Sequence, residues 1–276
     1  KYKNIKKDED MDMKKLMTTI LATSLLTLAG CSSSKTNDDA KATADSADNA
    51  TVITVGISPD YAPYESENTD GDIVGFDPDM CALFEQYLTE QEGTPYKVEL
   101  KKMDFDNIVT QLQGDQIDIG VSGFTYAEDR KVEWSEPYLG SSQVAVLPKG
   151  STITSLDDLK GKKIAVQTGS TGEEAAKEIE GADVTGLKNA QDIMNALSAN
   201  QYDAAVVDLG VAKNYVEKGA FTMIDDSLVD EQNYVIAKLG NTEMIDKINK
   251  CIETFLASDD YQTLCDKYGL TPLETK

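Results

Sequence analysis

Ile108-Val109-Thr110-Gln111-Leu112-Gln113-Gly114-Asp115-Gln116-Ile117-Asp118-Ile119-Gly120-Val121 is the stretch from which the fold class can be read. Ile108, Val109 and Leu112 stand at helical spacing and lead into Ile117 to Val121, which reads as a strand. The pattern returns at a constant offset of 85 residues, where Ile193, Leu197, Gln201, Asp203 and Val206 repeat Ile108, Leu112, Gln116, Asp118 and Val121. Two similar helix–strand units are the implication, although such a pattern also recurs by chance in α/β chains. The first unit runs into Ser122-Gly123-Phe124-Thr125 and the second into Asp208, so polar groups stand at the carboxyl ends of two corresponding strands. Ligands of open α/β sheets bind there.

Outward from these units, strands are expected at 52–57, 97–101, 117–121, 144–147, 163–166 and 204–207. Helices are expected at 79–90, 173–179, 193–197, 243–256 and 260–268. Alternation of the two kinds favours an α/β architecture with mostly parallel sheets. The chain has 276 residues, 40% of them apolar, enough for one large or two modest cores.

Charge narrows the function. Lys and Arg total 26 against 49 Asp and Glu, a net charge of −23, which opposes binding to nucleic acid or to anionic lipid. There is no His, which removes histidine bases, His-paired nucleophiles and the commonest zinc ligand. One basic residue, Arg130, is arginine and all the others are lysine.

Lys14 and Lys15 precede an apolar run over 16–29 that is too short to span a bilayer and is read as a signal peptide. The run ends in Leu28-Ala29-Gly30-Cys31, which resembles the lipobox of bacterial lipoproteins, and the resemblance implies lipidation of Cys31. Residues 1–10, with mixed charge ahead of Met11 and Met13, are set aside as upstream sequence. From Ser32 to Ala50 only Ser, Thr, Ala, Asp, Asn and Lys occur, so residues 31–50 are expected to be a lipid-anchored flexible tether. The other cysteines, Cys81, Cys251 and Cys265, lack a CxxC spacing, and no metal site or cofactor is expected. Cys81 is expected in the core; whether Cys251 and Cys265 pair is left open by the sequence.

Several segments in order resemble the extracellular solute-binding proteins of family 3, the amino-acid-binding components of ABC transporters. They are Gly56-Ile57-Ser58-Pro59-Asp60-Tyr61-Ala62-Pro63-Tyr64, Val74-Gly75-Phe76-Asp77, Met103-Asp104-Phe105-Asp106, Ser122 to Arg130, Trp134-Ser135-Glu136-Pro137-Tyr138, Asp157 to Lys163, and Gln167-Thr168-Gly169-Ser170-Thr171. The likeness spans roughly 51–272. It implies a type II periplasmic-binding-protein-like fold: two α/β lobes joined by two crossover strands, with a ligand cleft between them. The crossings would fall near Gly140 and Asn233, giving lobe 1 as 51–140 plus 233–276 and lobe 2 as 141–232.

The resemblance also implies roles. Arg130 would clamp the ligand carboxylate, for which its planar fork is suited and lysine is not; as an isolated residue it is equally a surface partner of Glu128 or Asp129. Ser170 and Thr171 would form a second clamp from lobe 2, and Asp208 would receive the ammonium; by themselves all three read as helix caps. Tyr61 and Phe105 would enclose the side chain, with Phe124 between contact positions. Ser122, Gly123 and Thr125 would meet the ammonium through carbonyl and hydroxyl oxygens. Neutral Ser58 disfavours a cationic side chain, and Gln167 could bond a polar one. The loop from Arg130 to Ser135 is five steps, shorter than the seven common in the family.

The expectation is therefore a monomeric, lipid-anchored, extracytoplasmic receptor that delivers a polar or small amino acid to a membrane permease. A dehydratase-like enzyme on the same fold and a ligand-binding sensor subunit are the alternatives.

Overall fold

The computed structural model describes residues 49–273. The signal segment, Cys31 and nearly all of the tether lie outside the described residues. Residue pattern and register explain the path of the chain. β1 (Thr51–Ile57) lies between β5 (Tyr96–Lys102) and β6 (Ile119–Gly120), parallel to both. β8 (Lys163–Gln167) lies in the same way between β9 (Asp183–Leu187) and β10 (Ala204–Asp208). Two long strands, β7 (Val132–Pro148) and β11 (Phe221–Lys238), pair antiparallel with each other and join these parallel halves into one eight-stranded sheet of order β5-β1-β6-β11-β7-β10-β8-β9. The sheet is thus mixed rather than mostly parallel: antiparallel pairing occupies its centre, where the chain crosses twice between halves.

The half built on β5-β1-β6 is lobe 1 and the half built on β10-β8-β9 is lobe 2. A small sheet of β2 (Asp60–Tyr61), β3 (Glu65–Glu67) and β4 (Ile73–Val74) belongs to lobe 1 and leads into α1 (Phe76–Glu92). The middle of the crossing pairs Gly140 with Gln232 and Leu139 with Asn233.

The repeated sequence unit is a repeated structural unit. α2 (Phe105–Gln113) buries Phe105, Ile108 and Leu112, and α4 (Ala190–Ser198) buries Ala190, Ile193, Met194 and Leu197. Each helix ends over a left-handed residue, Asp115 at φ 54° and Asn200 at φ 55°, side chains that tolerate this conformation better than most. Gln116 N–H then returns to Gln111 O and Gln201 N–H to Ala196 O, at 2.9 and 3.0 Å. Asp118 accepts from the Thr54 amide at 2.7 Å and Asp203 from the Lys163 amide at 2.9 Å, each stitching its strand to the neighbour it must join. These bonds account for the repeated Asp, whose side chain makes them; the Gln bonds are made by the backbone and do not call for glutamine.

α3 (Thr171–Lys177) and α5 (Leu209–Glu217) follow β8 and β10, while α6 (Thr242–Leu256) and α7 (Asp259–Tyr268) return to pack on lobe 1. The largest apolar core runs from Phe84 and Phe255 in lobe 1 through Tyr138 and Val144 to Val207 and Val211 in lobe 2. A separate cluster fills each lobe, around Ile108 and Phe124 in lobe 1 and around Ile164 and Val206 in lobe 2. Cys81, Cys251 and Cys265 are all free thiols in buried positions. Among the described residues no helix is long and apolar enough to cross a membrane.

β11 and the first half of β7 have no counterpart among the sequence-read strands. In β11 the register with β7 shifts at four places between Met223 and Ile236, so side chains change face repeatedly and no period of two survives in the sequence.

Candidate functional site

Strand ends and helix starts from both lobes converge on one pocket. Lobe 1 contributes Tyr61, Phe105, Ser122, Gly123 and Thr125; lobe 2 contributes Gln167, Ser170, Thr171 and Asp208; Gln143 of β7 completes the lining. Most of these side chains are buried, and polar groups dominate the lobe 2 wall.

On lobe 1 the segment after β6 is shaped by its neighbours. Gly123 adopts φ +55°, and Asn233, fully buried on β11, donates from Nδ2 to the Gly123 carbonyl at 3.0 Å. Tyr234 N–H bonds the Phe124 carbonyl at 2.8 Å. Ser122 Oγ accepts from the Ser58 amide at 3.1 Å and donates to Glu65 Oε1 at 2.6 Å. Ser58 therefore lies behind the pocket wall, its own hydroxyl donating to Asp60 at 2.7 Å.

Phe124 is likewise behind the wall, stacked on Phe105 with ring centroids 4.6 Å apart. The Arg130 guanidinium lies over this pair, 5.3 Å from the Phe124 centroid and 5.7 Å from that of Trp134. Its Nη1 donates to the Thr125 carbonyl and its Nη2 to the Gly169 carbonyl, both at 2.8 Å. Arg130 thus stands at the pocket's edge, braced on lobe 1 by the Thr125 carbonyl and tied to lobe 2 by the Gly169 carbonyl. Burial pulls its pKa down, against the opposing charges of Glu174, Asp129 and Glu231.

On lobe 2, Ser170 caps α3, accepting from the Glu173 amide at 3.2 Å while donating to the Gln167 carbonyl at 2.8 Å. Thr171 Oγ1 meets Thr125 Oγ1 of lobe 1 at 2.7 Å. Asp208 caps α5 through the Gly210 amide at 3.0 Å. Its carboxylate also accepts from the hydroxyls of Tyr64 and Ser141, and its amide donates to Tyr61 Oη at 3.1 Å. Burial raises the Asp208 pKa, and the hydroxyl and amide donors oppose that rise.

Further contacts cross between the lobes: the Ala190 amide to Asp60 at 2.6 Å, Asn214 to the Ala62 carbonyl at 3.2 Å, and the exposed pair Lys188–Asp104 at 3.1 Å. With the Thr125–Thr171 and Arg130–Gly169 bonds they close the cleft.

Three residues at the site carry no signal readable from the sequence. Gln143 and Glu231 face each other across the crossover strands, Gln143 Nε2 donating to Glu231 at 3.0 Å, and Glu231 also lies against Thr125 and Thr171. Gln143 ends a polar stretch, Ser141-Ser142-Gln143, ahead of an apolar run, and Glu231 lies in a strand without period, so only the pairing of β7 with β11 brings them together beside the pocket. Buried Tyr64 reaches Asp208 across 144 positions of sequence.

Two α/β lobes, a pair of crossover strands and a polar pocket closed between the lobes define a type II periplasmic-binding-protein-like protein. Comparison with known proteins narrows this class. The chain belongs to the bacterial extracellular solute-binding proteins, family 3, whose model matches residues 53–271. It is 31% identical over 224 residues to the arginine-binding extracellular protein ArtP of Bacillus subtilis (strain 168), covering 78% of this chain and 85% of that protein. A probable histidine-binding protein of Neisseria gonorrhoeae is 30% identical over 269 residues, 94% of this chain and 96% of the relative. Among solved structures, the substrate-binding protein of an amino acid ABC transporter superposes with a TM-score of 0.72 at 34% identity, covering 79% of this chain and 98% of that one.

Proposed function

We propose that the protein captures a free amino acid with a polar or small side chain in the inter-lobe pocket and delivers it to the permease of an ABC importer. One observation carries the reading: nine positions expected to contact ligand, drawn from segments between Tyr61 and Asp208, line one pocket shared by both lobes. An α-amino acid needs paired donors for its carboxylate and acceptors for its ammonium, both shielded from water. Arg130, Ser170 and Thr171 are the donors at one side. Ser122, Gly123, Thr125 and Asp208 offer acceptors at the other, and Tyr61 and Phe105 close over the side chain. Ser58, neutral and behind the wall, places no charge against that side chain, and Gln167 favours a polar one.

Lobe 1 binds first and lobe 2 closes over the ligand, a hinge motion about β7 and β11 driven by contacts made in the closed form alone. Micromolar capture requires about −8 kcal/mol, within reach of charge-assisted bonds at both ends of the ligand. In this reading Cys31 carries the lipid, residues 31–50 are the tether, and the lobes, 51–140 plus 233–276 and 141–232, act outside the membrane as a monomer that binds without chemistry.

A thermal-shift screen of the chain from Ser32 onward against the twenty amino acids, cystine, ornithine and small dicarboxylates tests the proposal. A ligand at 100 times its Kd adds about 2.7 kcal/mol of stability. A rise for one or a few amino acids supports the reading; a flat response to all of them rejects it.

A further inference from the structure

Behind the pocket wall lies a buried pair of acids that ligand capture does not itself require. Glu65 and Asp77 are both 0% exposed. Ser122 Oγ donates to Glu65 Oε1 at 2.6 Å, and the Gly123 amide donates to Asp77 Oδ2 at 3.1 Å. Tyr138 donates to Asp77 Oδ1 at 3.0 Å. Glu65 Oε2 is buried with no donor to accept from, and the Asp77 carboxylate lies within hydrogen-bonding reach of the Glu65 side chain. Two acceptor-only oxygens facing each other away from water are stable when a proton lies between them.

We propose that Glu65 and Asp77 share a single proton, and that this protonated pair is a positioning device which holds Ser122 and Gly123 in the geometry that meets the ligand ammonium. The proton resides on Glu65 Oε2 and is donated to Asp77. The Ser122 hydroxyl's one proton is then committed to Glu65 and one of its lone pairs to the Ser58 amide, so the hydroxyl is held facing away from the ligand and Ser122 serves the pocket chiefly through its backbone. The role rests on the amino-acid reading of the pocket; the shared proton does not.

The charges around the pair support one retained proton. Asp60 of β2, Cys81 of α1, Tyr138 of β7, Asp208 of β10, and Tyr61 and Tyr64 beside them are its titratable neighbours, and every one is an acid. Burial and Asp77 push Glu65 well above the usual carboxylate range, while Asp77, with the Gly123, Tyr138 and Glu65 bonds opposing its burial, is pushed up to about 6. Loss of the last proton at alkaline pH leaves two adjacent buried charges, whose repulsion displaces the oxygens that hold Ser122 and Gly123.

Glu65→Gln keeps a neutral donor toward Asp77 and an acceptor for Ser122 but cannot titrate. Infrared spectra of the two proteins should show the C=O stretch of a buried protonated carboxyl at neutral pH in the wild type and not in the variant. Calorimetric titration with L-glutamine, and with the strongest ligand of the amino-acid screen, should show wild-type affinity falling relative to Glu65→Gln by about tenfold per pH unit above the midpoint at which the band is lost. The ligand's own ammonium titrates equally in both proteins and cancels. Should Glu65→Gln fail to fold, Asp77→Asn, which leaves Glu65 protonated but removes the charge beside it, should move the loss of the band and the fall in affinity together to lower pH. Absence of the band, or parallel affinity profiles for variant and wild type, overturns the proposal. A band accompanied by no binding of any amino acid instead overturns the reading of the pocket, and the positioning role with it, while the shared proton stands.

Discussion

The phenol of Tyr64, between β2 and β3 of lobe 1, donates to Oδ1 of Asp208 at the end of β10 in lobe 2. Both residues are almost wholly buried, and the same carboxylate oxygen caps α5 through Gly210. Tyr64→Phe keeps the ring, stacked near Tyr61, and removes the hydroxyl alone. Loss of a hydrogen bond to a buried carboxylate should lower stability by about 1.5–3 kcal/mol. Urea unfolding at neutral pH checks this; an unchanged midpoint would show that the bond contributes nothing net.

Arg130→Lys separates charge from geometry. Lysine cannot span the Thr125 and Gly169 carbonyls with a planar fork, nor offer a ligand carboxylate two parallel bonds. Affinity for the cognate amino acid should fall by about 2 kcal/mol or more, roughly thirtyfold, in calorimetric titration. Wild-type affinity in this variant would remove Arg130 from the binding machinery.

Asp77 predicts the sign of a pH effect. Its carboxyl is held at about 6 in the folded protein against 3.8 ordinarily, chiefly by burial. Below the ordinary value folded and unfolded chains are both protonated, and between the two values only the unfolded chain releases its proton. The stability that Asp77 contributes, relative to Asp77→Asn, is therefore full in acid and lost as pH rises through about 6. Paired denaturant titrations at several pH values test this; a difference that grows with pH contradicts it.

Gly75 occupies φ +145°, and an added Cβ would stand 2.2 Å from the Tyr64 carbonyl oxygen. That carbonyl accepts from the Asp77 amide at 3.0 Å, so the clash falls on the junction that sets both Tyr64 and Asp77. Gly75→Ala should cost about 2–5 kcal/mol. Gly71→Ala, at φ +88° with nothing within 4 Å, bears backbone strain alone and should cost about 1–2 kcal/mol. Equal melting temperatures for the two variants would rule out the steric account.

Within the sequence, local and repetitive information decided a good deal. The Ile108 and Ile193 units announced two equivalent α/β halves because a helix, a left-handed turn residue and a strand-stitching Asp are all specified by neighbours a few positions apart. The ordered motifs carried the family, and the motif positions singled out Tyr61, Phe105, the 122–125 segment and the 167–171 segment. Tertiary structure decided the rest. The extent of crossover strand β11 could not be read from periodicity, because its bulges erase the two-residue period; only the resemblance put a crossing near Asn233, and the antiparallel centre of the sheet went unread. That Ser58 and Phe124 stand behind the pocket, that Gln143 and Glu231 stand at it, and that Glu65 and Asp77 face each other are consequences of pairing between distant segments. Burial and electrostatic coupling depend on which side chains the folded chain brings together, and no local pattern encodes that.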